Sequence, residues 1–241
     1  MVQWAGGYSM QLIHVKAVPC VISRRVSRFM VEVFTGRAEL AYLSNTGRLE
    51  QYLVKGRRGY CLRSPGGKTS LRLIAVEDMG LAAVVDTRLQ MRAFEKAAGL
   101  SLIPWMRGCR IAGRDVVLGS SKIDYLLECE GGAVYLEAKS AVMRKGAYAL
   151  YPDCPTPRGR RHIKELTSHA RAGGRSILLF IAAVPHAEAF KPNRGADPKL
   201  YELLSEAAEA GVALRAIGVH YNPLDSCIHL YSPDLSVNLA T

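Results

Sequence analysis

Two carboxylates and an amine sit close together in the stretch SSKIDYLLECEGGAVYLEAKS, Ser120 to Ser140. Asp124 lies on one apolar run, and Glu137 and Lys139 form a Glu-x-Lys on the next. Gathered at one point, these groups could hold Mg²⁺ or Mn²⁺ against a phosphodiester. The cation would polarise the phosphate and lower the pKa of a bound water, and the amine would orient that water or offset developing charge. Gly131-Gly132 between the runs fits a tight two-residue turn. That register sets Asp124 opposite Lys139, with Glu137 as its diagonal neighbour on the same face, roughly 7–8 Å away. Glu137 and Lys139 alternate along their strand and so point the same way. The Ala138 carbonyl is a further candidate metal ligand.

A plain charge ladder on a half-exposed hairpin would use the same residue types. Three features favour chemistry. The neighbouring Ile123, Leu126, Val134 and Leu136 are apolar, so the charges sit in a core-like element. A third carboxylate, Glu95, lies on a preceding helix that could pack beside the hairpin. The segment from Arg158 to Arg161 is basic and opens a helix, where cations and free amide N–H groups favour phosphate.

Holding such a hairpin in place needs a core. The chain has 241 residues, 49% of them hydrophobic, enough for one large or two small domains. The first third reads as short β-runs, Val26 to Val33, Glu39 to Leu43, Arg58 to Arg63, Ser70 to Val76 and Leu81 to Asp86. They are separated by turn signals at Thr35-Gly36, Asn45-Thr46-Gly47, Lys55-Gly56 and Pro65-Gly66-Gly67, which suggests a small barrel or sandwich. The rest alternates. Helical periodicity covers Arg88 to Ala98, Gly159 to Ala172 and Pro198 to Ala210, the last with Asp197 as N-cap. Strands are expected over Arg114 to Leu118, Ile123 to Cys129, Ala133 to Ala138, Ser176 to Ala183, Val212 to Val219 and Cys227 to Tyr231. Two domains, 1–87 and 88–241, follow from this change of pattern.

The net charge of +11 favours polyanions as partners. It is spread through folded segments, which suits a nucleic-acid groove better than a membrane anchor. No apolar run approaches the roughly 20 residues of a membrane span. MVQWAGGYSMQLIHVK lacks the charged region and apolar core of a secretory signal, so a cytoplasmic location is expected. The six cysteines, Cys20, Cys61, Cys109, Cys129, Cys154 and Cys227, form no CxxC pair and read mainly as small core residues. Scarce Asn and Gln, Arg in excess of Lys and abundant Ala resemble a heat-adapted lineage, in which an intracellular disulfide stays open.

Further motifs carry a resemblance. SRFMVEV at Ser27 to Val33, SNTGRL at Ser44 to Leu49, GKTS at Gly67 to Ser70 and VDTR at Val85 to Arg88 come in one order with SKIDYLL, YLEAKS, LYPDCPTPRGRRHIKEL and ILLFIA. In this order and spacing the chain resembles the sugar fermentation stimulation protein family over most of its length. The resemblance implies an α+β or α/β protein with an N-terminal OB-like β-barrel. A PD-(D/E)xK nuclease-like domain with a mixed central sheet would follow. It implies DNA binding, with a proposed role in regulating sugar metabolism. It would place a metal site on Asp124, Glu137 and Lys139, with Glu95 as an accessory carboxylate. Two departures fall outside that core, Tyr42 where His is expected and Gln90-Met91 where Pro-Asn is expected.

The expected nucleic-acid contacts are Arg24, Arg25, Arg28, Arg48, Arg57 and Arg58 on the barrel, and Arg158, Arg160, Arg161 and His162 beside the site. Tyr42, Tyr52 and Tyr60 are the aromatics available for stacking, although core packing is the commoner fate of a Tyr. His162 could act as a general base or phosphate donor, or be a helix-surface His. Asn45-Thr46-Gly47-Arg48 most simply makes a turn. Gly66-Gly67-Lys68-Thr69 lacks the spacing and the following helix of a P-loop, so nucleotide binding there is rejected. Three functions fit: a DNA-binding protein with a divalent-metal nuclease-type site, a non-catalytic DNA-binding regulator on the same fold, or a protein adaptor whose charge is incidental. DNA is the expected partner, no membrane partner is expected, and a homo-oligomer is compatible with the sequence.

Overall fold

The computed structural model describes residues 9–63 and 69–239. The Pro65-Gly66-Gly67 turn, half of the GKTS segment, most of Gly66–Thr69 and the first eight residues lie outside these. Period-two patterning builds β1 (Met10–His14), β2 (Val18–Ser27), β3 (Met30–Phe34), β4 (Ala38–Tyr42), β5 (Arg58–Arg63), β6 (Leu71–Asp78) and β7 (Leu81–Val84). β2–β3, β3–β4, β5–β6 and β2–β5 pair antiparallel, and β4–β6 pair parallel. These pairings return to their starting strand, so β2-β3-β4-β6-β5 closes an OB-type barrel. Its interior is filled by Ile22, Val31, Val33, Ala41, Cys61, Leu71 and Leu73, all fully buried. The expected single strand from Val26 to Val33 is instead a hairpin, turning at Arg28-Phe29 without Gly or Pro to mark it.

Asp86 ends this region by capping α1 (Thr87–Gly99). Its side chain accepts the Leu89 N–H at 2.9 Å, and its other oxygen lies 2.9 Å from Arg72 Nε. A 3-10 turn at Pro104–Met106 leads into β8 (Cys109–Leu118), β9 (Ser121–Cys129) and β10 (Gly132–Ala141), an antiparallel meander. Then come β11 (Met143–Lys145), β12 (Tyr148–Tyr151), α2 (Pro157–Arg171), β13 (Arg175–Ala182), β14 (Ala189–Pro192), α3 (Pro198–Glu209), β15 (Ala213–Asn222) and β16 (Cys227–Val237). β10, β13 and β15 run parallel, while β9 and β16 flank them antiparallel. The sheet is mixed, and the fold class expected from the sequence is the one observed. Four short strands, β1, β11, β12 and β14, were not anticipated, nor was β2 before Val26. All four have five residues or fewer of unremarkable pattern, and β1 pairs with β16 at the far end of the chain.

The barrel is tied to the second part by a buried cluster. The Tyr52 hydroxyl donates to Asp78 Oδ2 at 3.0 Å, and Arg144 of β11 donates to the same oxygen at 2.9 Å and 3.0 Å. Gln51 exchanges two 2.8 Å hydrogen bonds with the Arg144 backbone. β7 also joins β15 at Ala82 and Tyr221. Among the described residues no helix is long and apolar enough to cross a membrane.

The sequence leaves a disulfide open, and the structure forms one. Cys109 and Cys129 face each other across β8–β9, with Cα atoms 4.0 Å apart, and form a disulfide.

Candidate metal centre

β9 and β10 present the three residues on one face, but in a different register from the one the glycines suggest. The turn is Glu130-Gly131, and Gly132, at φ 102°, begins β10 opposite Cys129. One strand is displaced by two residues from the expected pairing. A shift of two preserves which face each side chain takes. Continued past the Leu136–Tyr125 pair, it brings Asp124 opposite Glu137 rather than Lys139. Two hydrogen bonds lock this pairing: the Ala138 N–H donates to Asp124 Oδ2 at 2.8 Å, and the Asp124 N–H donates to Glu137 Oε2 at 3.2 Å. Lys139, two residues on, donates to Glu137 Oε1 at 2.5 Å.

The face is covered by α2. Thr156 caps this helix by accepting the Gly159 N–H at 3.1 Å, and Thr156 is itself held through its N–H by Asp197, 2.9 Å away. A Cβ on Gly159 would lie 2.6 Å from the Tyr151 hydroxyl, so glycine is what lets the first turn of α2 close onto β12. One turn later His162 reaches Glu137. Its Nδ1 lies 2.5 Å from Glu137 Oε1, and its Nε2 accepts from Arg158 Nε at 3.3 Å. His162 is 2% exposed. The expectation that it contacts nucleic acid or acts as a general base is therefore corrected: its nitrogens face protein.

Burial sets the electrostatics. The Asp124 carboxyl is pushed up to about 6, first by desolvation and then by the facing Glu137. For Glu137, burial also acts upward, but Lys139 and His162 outweigh it and hold the group below the usual range. Lys139 is held above its usual range, because Glu137 and Tyr151 outweigh desolvation.

Glu95 is not brought to this face. Asp124 and Tyr125 are successive on β9 and point to opposite sides, and Glu95 accepts from the Tyr125 hydroxyl at 2.9 Å and from Arg114 Nε at 2.8 Å. Helix α1 packs on that opposite side, where its Phe94 ring lies 5.3 Å from the Tyr125 ring. The accessory role expected of Glu95 is thus corrected by the pleat. Among the described residues no group of three or more His, Cys, Asp or Glu side chains is placed to hold a metal ion. The donors on this face are the two facing carboxylates. This set is hard, anionic and short of ligands, which fits a small divalent cation that retains several waters.

The arginines divide. Arg25 donates to the carbonyls of Ser27, Arg28, Gly47 and Arg48. Arg57 donates to those of Gln51 and Glu77 while lying over the Tyr52 ring. Both fix loops of the barrel, and the expectation of phosphate contact is corrected for them. Arg24 pairs with Glu32, Arg48 with Glu50 and Arg160 with Asp197. Arg58 meets the Tyr60 hydroxyl. Arg28, at the tip of the β2–β3 hairpin, and Arg158, in α2, line one cleft of about 260 Å³ between barrel and sheet. Arg161 lines a groove between α2 and α3 with Lys164 and Lys199. The stacking aromatics also differ: Tyr52 and Tyr60 are buried, and Tyr42 lies under Arg88, leaving Phe29 and Phe34 as the half-exposed rings of the barrel. Gln90, one of the departures, is buried and donates to the Val84 carbonyl at 2.7 Å.

Comparison with known proteins agrees with this architecture. Residues 24–85 match the SfsA N-terminal OB domain, and residues 88–225 match the sugar fermentation stimulation protein RE domain. The chain is an OB barrel joined to an RE domain. It belongs to the sugar fermentation stimulation protein family. A sugar fermentation stimulation protein homolog of Pyrococcus furiosus is 50% identical over 213 residues, 88% of this chain and 93% of the relative. One from Archaeoglobus fulgidus is 45% identical, over 92% of this chain and 95% of the relative. The solved structure of Pyrococcus furiosus SfsA in complex with Ca²⁺ superposes with a TM-score of 0.92 at 48% identity. The match covers 95% of this chain and 99% of that one.

Proposed function

We propose that Asp124, Glu137 and the Ala138 carbonyl hold a divalent cation, Mg²⁺ or Mn²⁺, beside a DNA phosphate, and that Lys139 completes a PD-(D/E)xK nuclease-type site. The observation that carries this reading is the direct facing of a buried carboxylate, Glu137, and a half-buried one, Asp124, on neighbouring strands, with the amine of Lys139 on the same face. A bound cation would polarise the phosphate and acidify its water. The chain's own groups do the rest. Asp124 and Glu137 fix where the cation sits, and Lys139 carries positive charge toward the scissile phosphate. The overlying α2 keeps bulk water from the Glu137 side. The Ca²⁺ complex of the Pyrococcus furiosus relative supports the reading, since Ca²⁺ prefers the same hard oxygen donors.

DNA is the proposed partner, contacted by Arg28, Arg158 and Arg161 and by the exposed Arg24 and Arg48. Residues 1–87 form the nucleic-acid-binding unit and 88–241 the nuclease-like unit, in a cytoplasmic protein. With phosphate contacts dominant, log affinity for DNA is expected to fall with log salt at a slope steeper than about −3 and with little sequence preference. A flat salt dependence measured by fluorescence anisotropy contradicts this and favours the adaptor reading. Cleavage is tested with single- and double-stranded DNA and RNA in Mn²⁺. A second reading, a DNA-binding regulator of sugar-metabolism genes that keeps the fold without cutting, is favoured by one observation. Among the described residues the site gathers two carboxylates, one of which is paired to the neighbouring Lys139 at 2.5 Å. Tight DNA binding with no cleavage of any substrate is the result that selects it.

A further inference from the structure

His162 and Arg158 form a chain of hydrogen bonds that ends on the proposed metal site. Glu137 Oε1 faces two nitrogens at 2.5 Å, Lys139 Nζ and His162 Nδ1, while Oε2 receives the Asp124 N–H at 3.2 Å. Arg158 can only donate. Its Nε meets His162 Nε2 at 3.3 Å, so Nε2 accepts and the ring hydrogen lies on Nδ1, aimed at Glu137. Arg158 and His162 are four residues apart on α2 and share one helix face. The helix itself is pinned at its start by Thr156, Asp197 and the Gly159–Tyr151 approach. The orientation of the Glu137 carboxylate is thus set from α2, through a ring that solvent does not reach.

Resting on the metal-site reading above, we propose that His162 is a positioning residue. Its Nδ1–H fixes the Glu137 carboxylate so that Oε2 is turned toward Asp124 and the cation, and Arg158 fixes the tautomer that makes this possible. Partners behind a ligating group are worth about 10–100-fold in metal affinity. The pair Arg-x-x-x-His is therefore part of the site, although neither side chain is a ligand.

The test is Mn²⁺ titration of the full chain by calorimetry, with folding followed by circular dichroism. In His162→Asn the side-chain amide N–H stands about where Nδ1–H stood. His162→Phe fills the space without a donor. Expected affinities are within about 3-fold of wild type for H162N and at least about 10-fold weaker for H162F. Arg158→Ala, at the start of the helix, is expected to weaken binding as well, and it reads the same chain should H162F fail to fold. Wild-type affinity in folded H162F or in R158A overturns the proposal, as does an H162N as weak as H162F. A wild-type chain that binds no Mn²⁺ overturns the metal reading first and this inference with it, and the wild-type curve alone distinguishes that case.

Discussion

Replacing Asp78 with Ala is expected to lower the stability of the protein by about 3–5 kcal/mol, the usual effect of removing one partner from a buried ion pair. Asp78 accepts from Tyr52 and twice from Arg144, with all three groups largely out of water. Without it the Arg144 guanidinium keeps the Pro185 and Gly146 carbonyls as partners but loses its paired carboxylate, and the Tyr52 hydroxyl is left without its acceptor. The cluster also spans the barrel and β11, so its loss weakens the tie between the two parts. Tyr52→Phe removes a single hydrogen bond and is expected to cost about 1 kcal/mol. Guanidinium denaturation checks both. A loss under about 1 kcal/mol for Asp78→Ala contradicts the clamp.

Asp124→Asn is expected to act in the opposite direction, stabilising the metal-free protein at pH 7.5 by on the order of 1–3 kcal/mol. Burial and Glu137 raise the Asp124 carboxyl to about 6 in the folded protein, above the usual carboxylate value of 3.8. A raised folded pKa means that this group's favourable contribution is complete below the unfolded value. It is lost as pH rises through the folded one, so the charged carboxylate is a net cost at neutral pH. Asn keeps an oxygen for the Ala138 N–H and removes the charge. The gain should be small at pH 4 and reach its full size above pH 7. Saturating Mn²⁺ should raise the melting temperature of the wild type at pH 7.5 and leave the variant unmoved. No stabilisation at pH 7.5, or an equal effect at both pH values, contradicts this account of the site. A stability cost concentrated on one side chain is what a binding site built for a cation would carry before the cation arrives.

That Asp124, Glu137 and Lys139 share a face was readable from period-two alternation, and it survived because the register moved by two residues, which keeps every side chain on its side. The register itself was not readable. Gly131-Gly132 looks like a two-residue turn, but only Gly132 takes the left-handed φ, and the turn moves back onto Glu130. The same pleat that sets Asp124 beside Glu137 excludes Glu95, whose helix packs on the opposite face. Spacing alone could not show this, because it does not tell which side of a sheet a helix will choose. His162 was visible as a His beside basic residues. Its burial depends on α2 folding over β10, a tertiary event with no local signature. Arg25 and Arg57 were indistinguishable in sequence from surface arginines. Their donors are taken by main-chain carbonyls that the closed barrel brings within reach. The Cys109–Cys129 bond likewise needs the β8–β9 register, and the twenty-residue separation says nothing of it.

The central claim is that Asp124 and Glu137 together hold a divalent cation. The most direct measurement is Mn²⁺ titration of the wild type beside Asp124→Ala and Glu137→Ala at pH 7.5, with each variant shown to be folded. The account predicts saturable binding by the wild type and a loss of about 100-fold or more in both variants, because two ligands cannot be reduced to one without losing the site. Equal affinity in all three proteins would contradict it.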